Sequence, residues 1–197
     1  MSGQGSPPQL RDIIAVSLAG AVLLGRGRPD GLLLIEDTPE GAWRSFLAAF
    51  ICLPAFLALR FFAWASFGMP DGLGRALFAE VTGYAIAWVA FALVSLQLAG
   101  FWGRAAEWPR FIAAWNWTNV VQYLVLLALA VPAMLGLPQA FGQLLTLAGL
   151  AYAVWLEWFV ARNALGVTGG QAAALVGVDL ALGLFLGGLI RTLADGG

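Results

Sequence analysis

The stretch TPEGAWRSFLAAFICLPAFLALRFFAW, residues 38–64, decides the fold. Thr38 is a favoured N-cap residue, and Pro39 is well tolerated at the first position of a helix. After Arg44, the apolar run to residue 64 carries one charged residue, Arg60, and is long enough to cross the roughly 30 Å of hydrocarbon in a bilayer. The stretch therefore predicts a transmembrane helix that is kinked at Pro54 and whose Arg60 side chain reaches back to the headgroups.

The rest of the chain repeats this pattern. The 197 residues are 61% hydrophobic and 11% charged, whereas a soluble domain carries about 25% charged residues. Lipid must therefore solvate much of the surface. Because the loops between apolar segments are short, sequential helices should pack antiparallel. We predict an all-α polytopic membrane helical bundle of five transmembrane helices, with spans at 42–64, 76–101, 109–134, 139–162 and 171–193.

A cytoplasmic segment of residues 1–38 is predicted to precede the transmembrane domain of residues 39–197. Residues 1–9 have the Gly, Ser, Gln and Pro composition of a disordered chain. Residues 13–24 are apolar nearly all round, but the roughly 18 Å of helix that they would form is too short to span. We interpret them as a short interfacial helix, with a re-entrant helix or a helix packed against the bundle as alternatives.

The arginines predict the orientation in the membrane. With the N-terminus inside, the cytoplasmic side holds Arg11, Arg26, Arg28, Arg44, Arg104, Arg110 and Arg162. The outer side holds Arg60, Arg75 and Arg191. The excess of inner arginines predicts a cytoplasmic N-terminus and, after five spans, a periplasmic C-terminus. The absence of lysine and the Ala-, Leu-, Gly- and Arg-rich usage are typical of a GC-rich bacterial genome, so we expect the bacterial inner membrane.

The third span carries four polar residues near its cytoplasmic end: Asn116, Asn119, Gln122 and Tyr123. Asn116, Asn119 and Tyr123 recur at i, i+3 and i+7, with Gln122 beside them, and therefore share one face of a helix. Unpaired amides are costly in lipid, so this face should point into the bundle. It is either a polar site for a headgroup, solute or partner helix, or a set of hydrogen bonds that holds the helices together, and the second interpretation is favoured.

The fifth span carries an intramembrane acid, Asp179, in the stretch GVDLALGLFLGG. A carboxylate at this depth costs about 3 kcal/mol on insertion scales, so it should be paired or protonated. It either handles protons or cations, or accepts a hydrogen bond from the polar face of the third span or from Arg162. Gly183 and Gly187 lie on the same face and form a GxxxG pair, which predicts close packing against another helix.

The fourth span ends with Glu157 and Arg162 near the cytoplasmic side. The two residues are five positions apart, so a direct ion pair requires both side chains to be extended. The neighbouring tryptophans, Trp155 and Trp158, suit a membrane interface. We therefore predict that Glu157 and Arg162 are interface charges, which anchor the helix and mark its topology.

Glu80 lies near the outer end of the second span. We predict that it sits among the outer headgroups or pairs with Arg75, without a functional role. Glu80, Glu157 and Asp179 occupy different spans, and nothing in their positions argues for a catalytic pair.

Several classes of function lose support from the residues present. The chain has no histidine, and its one cysteine, Cys52, lies in an apolar run. Metallopeptidase, serine hydrolase, P-loop and CxxC motifs do not occur in the sequence. The net charge of −1 gives no electrostatic case for nucleic acid. We therefore expect a protein that is not an enzyme, with no metal and no cofactor.

Three stretches carry a resemblance to other proteins: PEGAWRSFLAAF (39–50), FIAAWNWTNVVQ (111–122) and WFVARNALGVTGGQAAALVGVDLALGL (158–184). They resemble a group of small, uncharacterised alphaproteobacterial membrane proteins. The overall layout, a cytoplasmic N-terminal segment followed by five spans, is similar to that of the bacterial Yip1-like proteins. In eukaryotes the Yip1 family implies a membrane adaptor, which for a bacterial chain implies a non-enzymatic membrane scaffold.

Three hypotheses of function follow. The leading one is a membrane scaffold that binds a membrane-protein partner or a second copy of itself, with membrane lipid around it. The second is a small transporter or channel component that uses Asp179 together with Asn116, Asn119 and Gln122. The third, with the least support, is an intramembrane enzyme that acts on lipid through Asp179 or Glu157.

Overall fold

The computed structural model describes residues 9–136 and 138–194, and within them it contains seven α-helices and no strand. Two short 3₁₀ turns, Pro29–Leu34 and Ala105–Glu107, connect some of the helices. Residues 1–8 of the predicted disordered segment lie outside the described residues. The helices are α1 (Leu10–Gly25), α2 (Pro39–Ser45), α3 (Leu47–Phe67), α4 (Leu73–Phe101), α5 (Trp108–Met134), α6 (Gln139–Leu165) and α7 (Gly169–Ala194).

Five stretches are long and apolar enough to cross a membrane, as the sequence predicts. They have 22 to 29 residues and mean hydropathies between 1.3 and 2.2, and about 20 apolar residues are needed. The stretches are Pro39–Phe67, Leu73–Phe101, Ala105–Pro132, Ala140–Leu165 and Gly169–Ile190. The predicted start of the first is confirmed, because the Thr38 hydroxyl accepts a 3.0 Å hydrogen bond from the Gly41 amide. The fold is therefore a membrane-embedded helical bundle.

The N-terminal helix α1 packs against the bundle, which is one of the three interpretations of residues 13–24. It lies against α5 and α6. Tyr152 Oη of α6 donates a 2.9 Å hydrogen bond to the carbonyl oxygen of Gly25 and so satisfies one of the groups left open at the end of α1. The buried positions of α1 are Ser17, Gly20, Ala21 and Leu24. How deep α1 lies in the bilayer stays a prediction.

The 3₁₀ turn Pro29–Leu34 meets α1 through a close approach of backbone. A Cβ atom added at Gly20 would lie 2.7 Å from the carbonyl oxygen of Gly31. We therefore expect Gly20→Ala to lower the free energy of unfolding in detergent by about 1–3 kcal/mol. The matched control is Gly177→Ala, where an added Cβ meets nothing within 4 Å and alanine should stabilise the helix by up to about 1 kcal/mol. Equal stabilities of the two variants would contradict the close approach.

The first span is interrupted at Phe46, and α3 continues through Pro54 without a break. The Ser45 hydroxyl donates a 2.6 Å hydrogen bond to the carbonyl oxygen of Ala42. The Phe46 amide bonds instead to the carbonyl oxygen of Trp43, at 3.2 Å. A serine hydroxyl that takes a backbone carbonyl from its usual partner tightens the helix locally. The structure thus places the interruption before the proline, at a serine.

Helix α5 forms the centre of the bundle. It packs against α1, α2, α3 and α6, whereas α4 packs mainly against α7. The N-terminal half of α5 is enclosed by these neighbours, and its fully buried side chains include Phe111, Ile112, Ala113, Ala114 and Asn116. Because α4 pairs with α7 and touches α5 less, a space remains between α3, α4, α5 and α7.

Candidate functional site, an intramembrane cavity

A cavity of about 290 Å³ occupies the space between α3, α4, α5 and α7, within the predicted spans. From α4 it is lined by Glu80, Gly83, Tyr84, Ala87, Trp88 and Phe91. From α7 it is lined by Asp179, Leu182, Gly183, Leu186, Gly187 and Ile190. These positions recur every three to four residues over three turns, so the cavity runs about 16 Å along the two helices.

The cavity has two distinct ends. Gly83 of α4 contacts Ile190 of α7, and the two helices run antiparallel because short loops join the helices between them. Ile190 and Asp179 therefore lie at opposite ends of the cavity. At the Ile190 end, the guanidinium of Arg60 on α3 forms an ion pair with the carboxylate of Glu80 on α4.

A second cavity, of about 330 Å³, adjoins the first at this ion pair. The two cavities share Arg60, Glu80 and Ile190 as lining residues. The second extends to residues 67–71, in the loop between α3 and α4. The ion pair therefore lies where a space inside the membrane-spanning region adjoins a space that reaches the loop.

The prediction that Glu80 sits among headgroups or pairs with Arg75 is corrected by this arrangement. The Glu80 side chain is only 6% exposed, and its partner is Arg60. A signal in the sequence supports this pairing. Arg60 precedes the end of α3 by seven residues and Glu80 follows the start of α4 by seven, so the two side chains lie at equal depth in an antiparallel pair of helices. Arg60 was predicted to extend its side chain toward the headgroups. Its guanidinium instead forms the ion pair with Glu80.

Asp179 faces the cavity without a protein partner. Within the described part of the chain its carboxylate makes no hydrogen bond and no ion pair. The predicted hydrogen bond from the polar residues of α5 or from Arg162 is therefore wrong. Arg162 lies instead over the ring of Trp158, with its guanidinium carbon 5.2 Å from the ring centre.

The four polar side chains of α5 divide between two directions. Asn116, Asn119 and Tyr123 line the cavity, whereas Gln122 turns toward α6. Their angles around the helix explain this division. Asn116, Asn119 and Tyr123 fall within an arc of about 60°, and Gln122 lies about 60° beyond its edge. The predicted polar face therefore exists, but one of its four members serves a different contact.

The amides of the cavity-lining residues are bonded within the bundle. Asn116 Nδ2 donates a 2.8 Å hydrogen bond to Ser45 Oγ, which joins α5 to α2 beside the break at Phe46. Asn119 Nδ2 donates a 3.0 Å hydrogen bond to the carbonyl oxygen of Trp115 in its own helix. Ser45 was not among the residues predicted for the site. The sequence gives little reason to assign Ser45 to the site, because serine is common near helix ends.

Glu157 lies inside the bundle, which corrects its prediction as an interface charge. Gln122 Nε2 donates a 2.9 Å hydrogen bond to Glu157 Oε1. The other carboxylate oxygen is buried and has no hydrogen-bond partner among the described residues. Glu157 does not line the cavity. Arg162 pairs with neither acid in the part of the chain that the structure describes.

The two glycines predicted to pack against another helix line the cavity and have no helix packed against them among the described residues. A Cβ atom added at Gly183 or Gly187 would meet nothing within 4 Å. The close approach between α4 and α7 occurs at Gly83, where an added Cβ would meet the side chain of Ile190. Gly183 and Gly187 therefore widen the cavity by leaving room that a side chain would fill.

The site contains few groups that hold metals. In the described ranges, no three His, Cys, Asp or Glu side chains come together as they would to bind a metal ion. The cavity is lined by one unpaired carboxylate, two amides, two phenols, an ion pair and several further aromatic rings.

The comparisons with known proteins do not assign the chain to a family. No protein-family model matches the chain, and no curated protein and no solved structure is significantly similar to it. The resemblance to Yip1-like proteins and to the alphaproteobacterial group therefore stays a prediction.

Proposed function

We propose that this protein is a small-solute binding protein of the membrane, acting as a transporter or channel component that accepts its solute in the cavity between α3, α4, α5 and α7. The observation that carries the proposal is Asp179, an acid within a span that faces a cavity and has no partner in the described chain.

The free energy required to place the Asp179 carboxylate inside the membrane supports a role for this residue in binding. An acid at this depth costs about 3 kcal/mol on insertion scales, and natural proteins recover that cost by pairing it or use it functionally. Asp179 has no such pair in the described residues. Water or a bound solute in the cavity would supply the missing partner. The proposal contains no catalytic step, because the cavity holds no nucleophile next to a base.

The scaffold hypothesis, which the sequence favours, rested on the absence of histidine and of catalytic motifs, on the polar face of α5 and on the small-residue face of α7, both of which suit association with a partner helix. Asn116 is 2% exposed and bonded to Ser45, and Gln122 is buried and bonded to Glu157. Neither is available to a partner. The transporter alternative uses Asp179, Asn116 and Asn119, which line the cavity, although Gln122 does not. It is therefore preferred here, with a membrane-protein partner or a second copy of the chain as an additional component of the assembly.

The orientation is also part of the proposal. The excess of arginines on one side supports an inner-membrane protein with a cytoplasmic N-terminus and a periplasmic C-terminus. In this orientation the loop between α3 and α4 faces the periplasm, and the second cavity would open there. The solute would then enter from the periplasmic side and meet the Arg60–Glu80 ion pair first.

Cysteine accessibility tests whether the cavity holds water. In a Cys52→Ala background we expect Gly183→Cys to react with a charged, membrane-impermeant thiosulfonate, because a thiol must reach water to form the reactive thiolate. An added side chain fits at this position without a clash. The matched control is Leu184→Cys, the next residue along α7, whose side chain is 80% exposed on the lipid side and should stay unreactive.

The outcomes separate the two hypotheses. Reaction of Gly183→Cys at a rate at least about tenfold above that of Leu184→Cys supports the proposal. Equal, slow reaction of both variants in intact and in detergent-opened vesicles would mean that the cavity is closed to water, which overturns it. Recovery of a stoichiometric membrane partner from native membranes in that case would return the scaffold hypothesis to first place.

A further inference from the structure

Aromatic rings dominate the walls of the cavity. Rings come from three of the four helices around it, and Phe91 and Trp115 stack on one another with ring centres 4.2 Å apart. Tyr84 and Trp88 lie beside each other on α4, with ring centres 5.9 Å apart. The aromatic lining residues are Phe56, Tyr84, Trp88, Phe91, Trp115 and Tyr123. Such a concentration of rings was not expected from the sequence, which places tryptophans at the membrane interfaces.

The charge of the cavity is negative. Arg60 and Glu80 neutralise one another in their ion pair, so the remaining formal charge is the carboxylate of Asp179. A small anion in the cavity would be repelled by this carboxylate. A cation would be attracted by Asp179 and by the negative faces of the rings.

From this juxtaposition we infer that the solute is a small organic ammonium cation, held by Asp179 and by the aromatic rings of α4 and α5. The inference rests on the proposed function and names its substrate class. Rings around a carboxylate are the arrangement that recognises quaternary ammonium groups. An inorganic cation such as Ca²⁺ would require six or more oxygen ligands, which the cavity does not bring together. The volume of about 290 Å³ is at the lower end for small-molecule sites, which favours a compact cation.

Calorimetric titration of the full-length protein with choline chloride tests the inference. A maltoside detergent is required, because zwitterionic detergents carry the same ammonium group as the probe. The matched ligand control is 3,3-dimethylbutan-1-ol, which has the shape of choline without its charge. We expect saturable binding of choline and at least about tenfold weaker binding of the neutral alcohol, since the charge provides both the ion pair and the cation–π attraction.

Two variants assign the binding to the cavity. We expect Asp179→Asn to weaken choline binding by at least about tenfold, because the ion pair is lost while the size of the side chain is kept. Trp88→Leu should weaken it by roughly three- to tenfold, and Trp88→Phe should restore most of the affinity because a ring face is regained. The matched controls are Asp37→Asn and Trp43→Leu, at exposed positions that do not line the cavity, which should bind choline as the wild type does.

The ammonium group has two sources, a free solute or a lipid headgroup. Repeating the titration in nanodiscs of phosphatidylglycerol, with and without phosphatidylcholine, distinguishes them. A loss of apparent choline affinity when phosphatidylcholine is present identifies the headgroup as the ligand, and an unchanged affinity identifies the free cation. Either result supports recognition of the ammonium group.

Failure of this inference is distinct from failure of the proposed function. If Gly183→Cys reacts with the charged reagent but choline and its neutral analogue bind equally, or neither binds, the cavity accepts a solute of another class and the inference is overturned. Equal binding of choline by the wild type, Asp179→Asn and Trp88→Leu would overturn it as well. If Gly183→Cys does not react, the proposed function fails first.

Discussion

Replacing Glu80 with leucine is expected to lower the free energy of unfolding by about 3 kcal/mol, because Arg60 would then lack a partner inside the bundle. The Glu80 side chain is 6% exposed and that of Arg60 is 35% exposed. The partial exposure of Arg60 places the expected effect at the lower end of the range for broken buried ion pairs. Arg60 Nε is itself buried without an acceptor in the described chain, so Glu80 supplies the main polar contact of this guanidinium.

The double variant Arg60→Leu/Glu80→Leu is the control. It removes both charges, and its stability should return to within about 1 kcal/mol of the wild type, since a buried pair can be replaced by apolar side chains at little cost. Unfolding of the four proteins by sodium dodecyl sulfate in mixed micelles gives the coupling energy between the two residues. Purely additive effects of the two single substitutions would show that the ion pair does not form.

Gln122→Leu is the second substitution with a large expected effect, about 2 kcal/mol of lost stability. The amide of Gln122 gives Glu157 its one hydrogen bond from the described residues, at 2.9 Å. The other oxygen of Glu157 is buried without a partner. Without the amide, neither oxygen of this buried acid would have a hydrogen-bond partner among the described residues, and an unsatisfied buried polar group costs about 1–3 kcal/mol.

Glu157→Gln is the matched variant for this test. It keeps the shape of the side chain and a carbonyl oxygen that can accept the hydrogen bond from Gln122 Nε2. We expect a stability equal to or above that of the wild type in the same mixed-micelle unfolding measurement. A loss comparable to that of Gln122→Leu would mean that a property of the Glu157 carboxyl group other than its acceptance of this hydrogen bond stabilises the contact between α5 and α6.

The fold was predictable because it depends on length and hydropathy along the chain. The third span was predicted at residues 109–134, and α5 runs from Trp108 to Met134. The break in the first span was not predictable from the proline rule. It depends on Ser45, whose hydroxyl bonds to Ala42 and accepts from Asn116, and this partner is distant in sequence.

Individual residues of the site were predictable from the sequence, but the walls of the cavity that they line were not. Periodicity identified Asn116, Asn119 and Tyr123 as one face and marked Asp179 as an unusual acid, and all four line one cavity. The aromatic walls were missed, because a tryptophan in a membrane protein is expected at an interface. Which face of α4 meets α7 depends on packing at Gly83, and a single helix with apolar residues all round carries no signal of that choice.

Because the helical hydrogen-bond pattern is interrupted at Phe46, we expect that α3 can tilt about this residue, which lies at one end of the helix. Arg60 lies 14 residues beyond the break, which is about 21 Å of helix. A tilt of α3 by about 10° would move the guanidinium by roughly 4 Å at that distance, enough to separate it from Glu80. Tilting of α3 alone would then connect the two cavities, and the hydrogen bond between Asn116 and Ser45 would keep α2 in place.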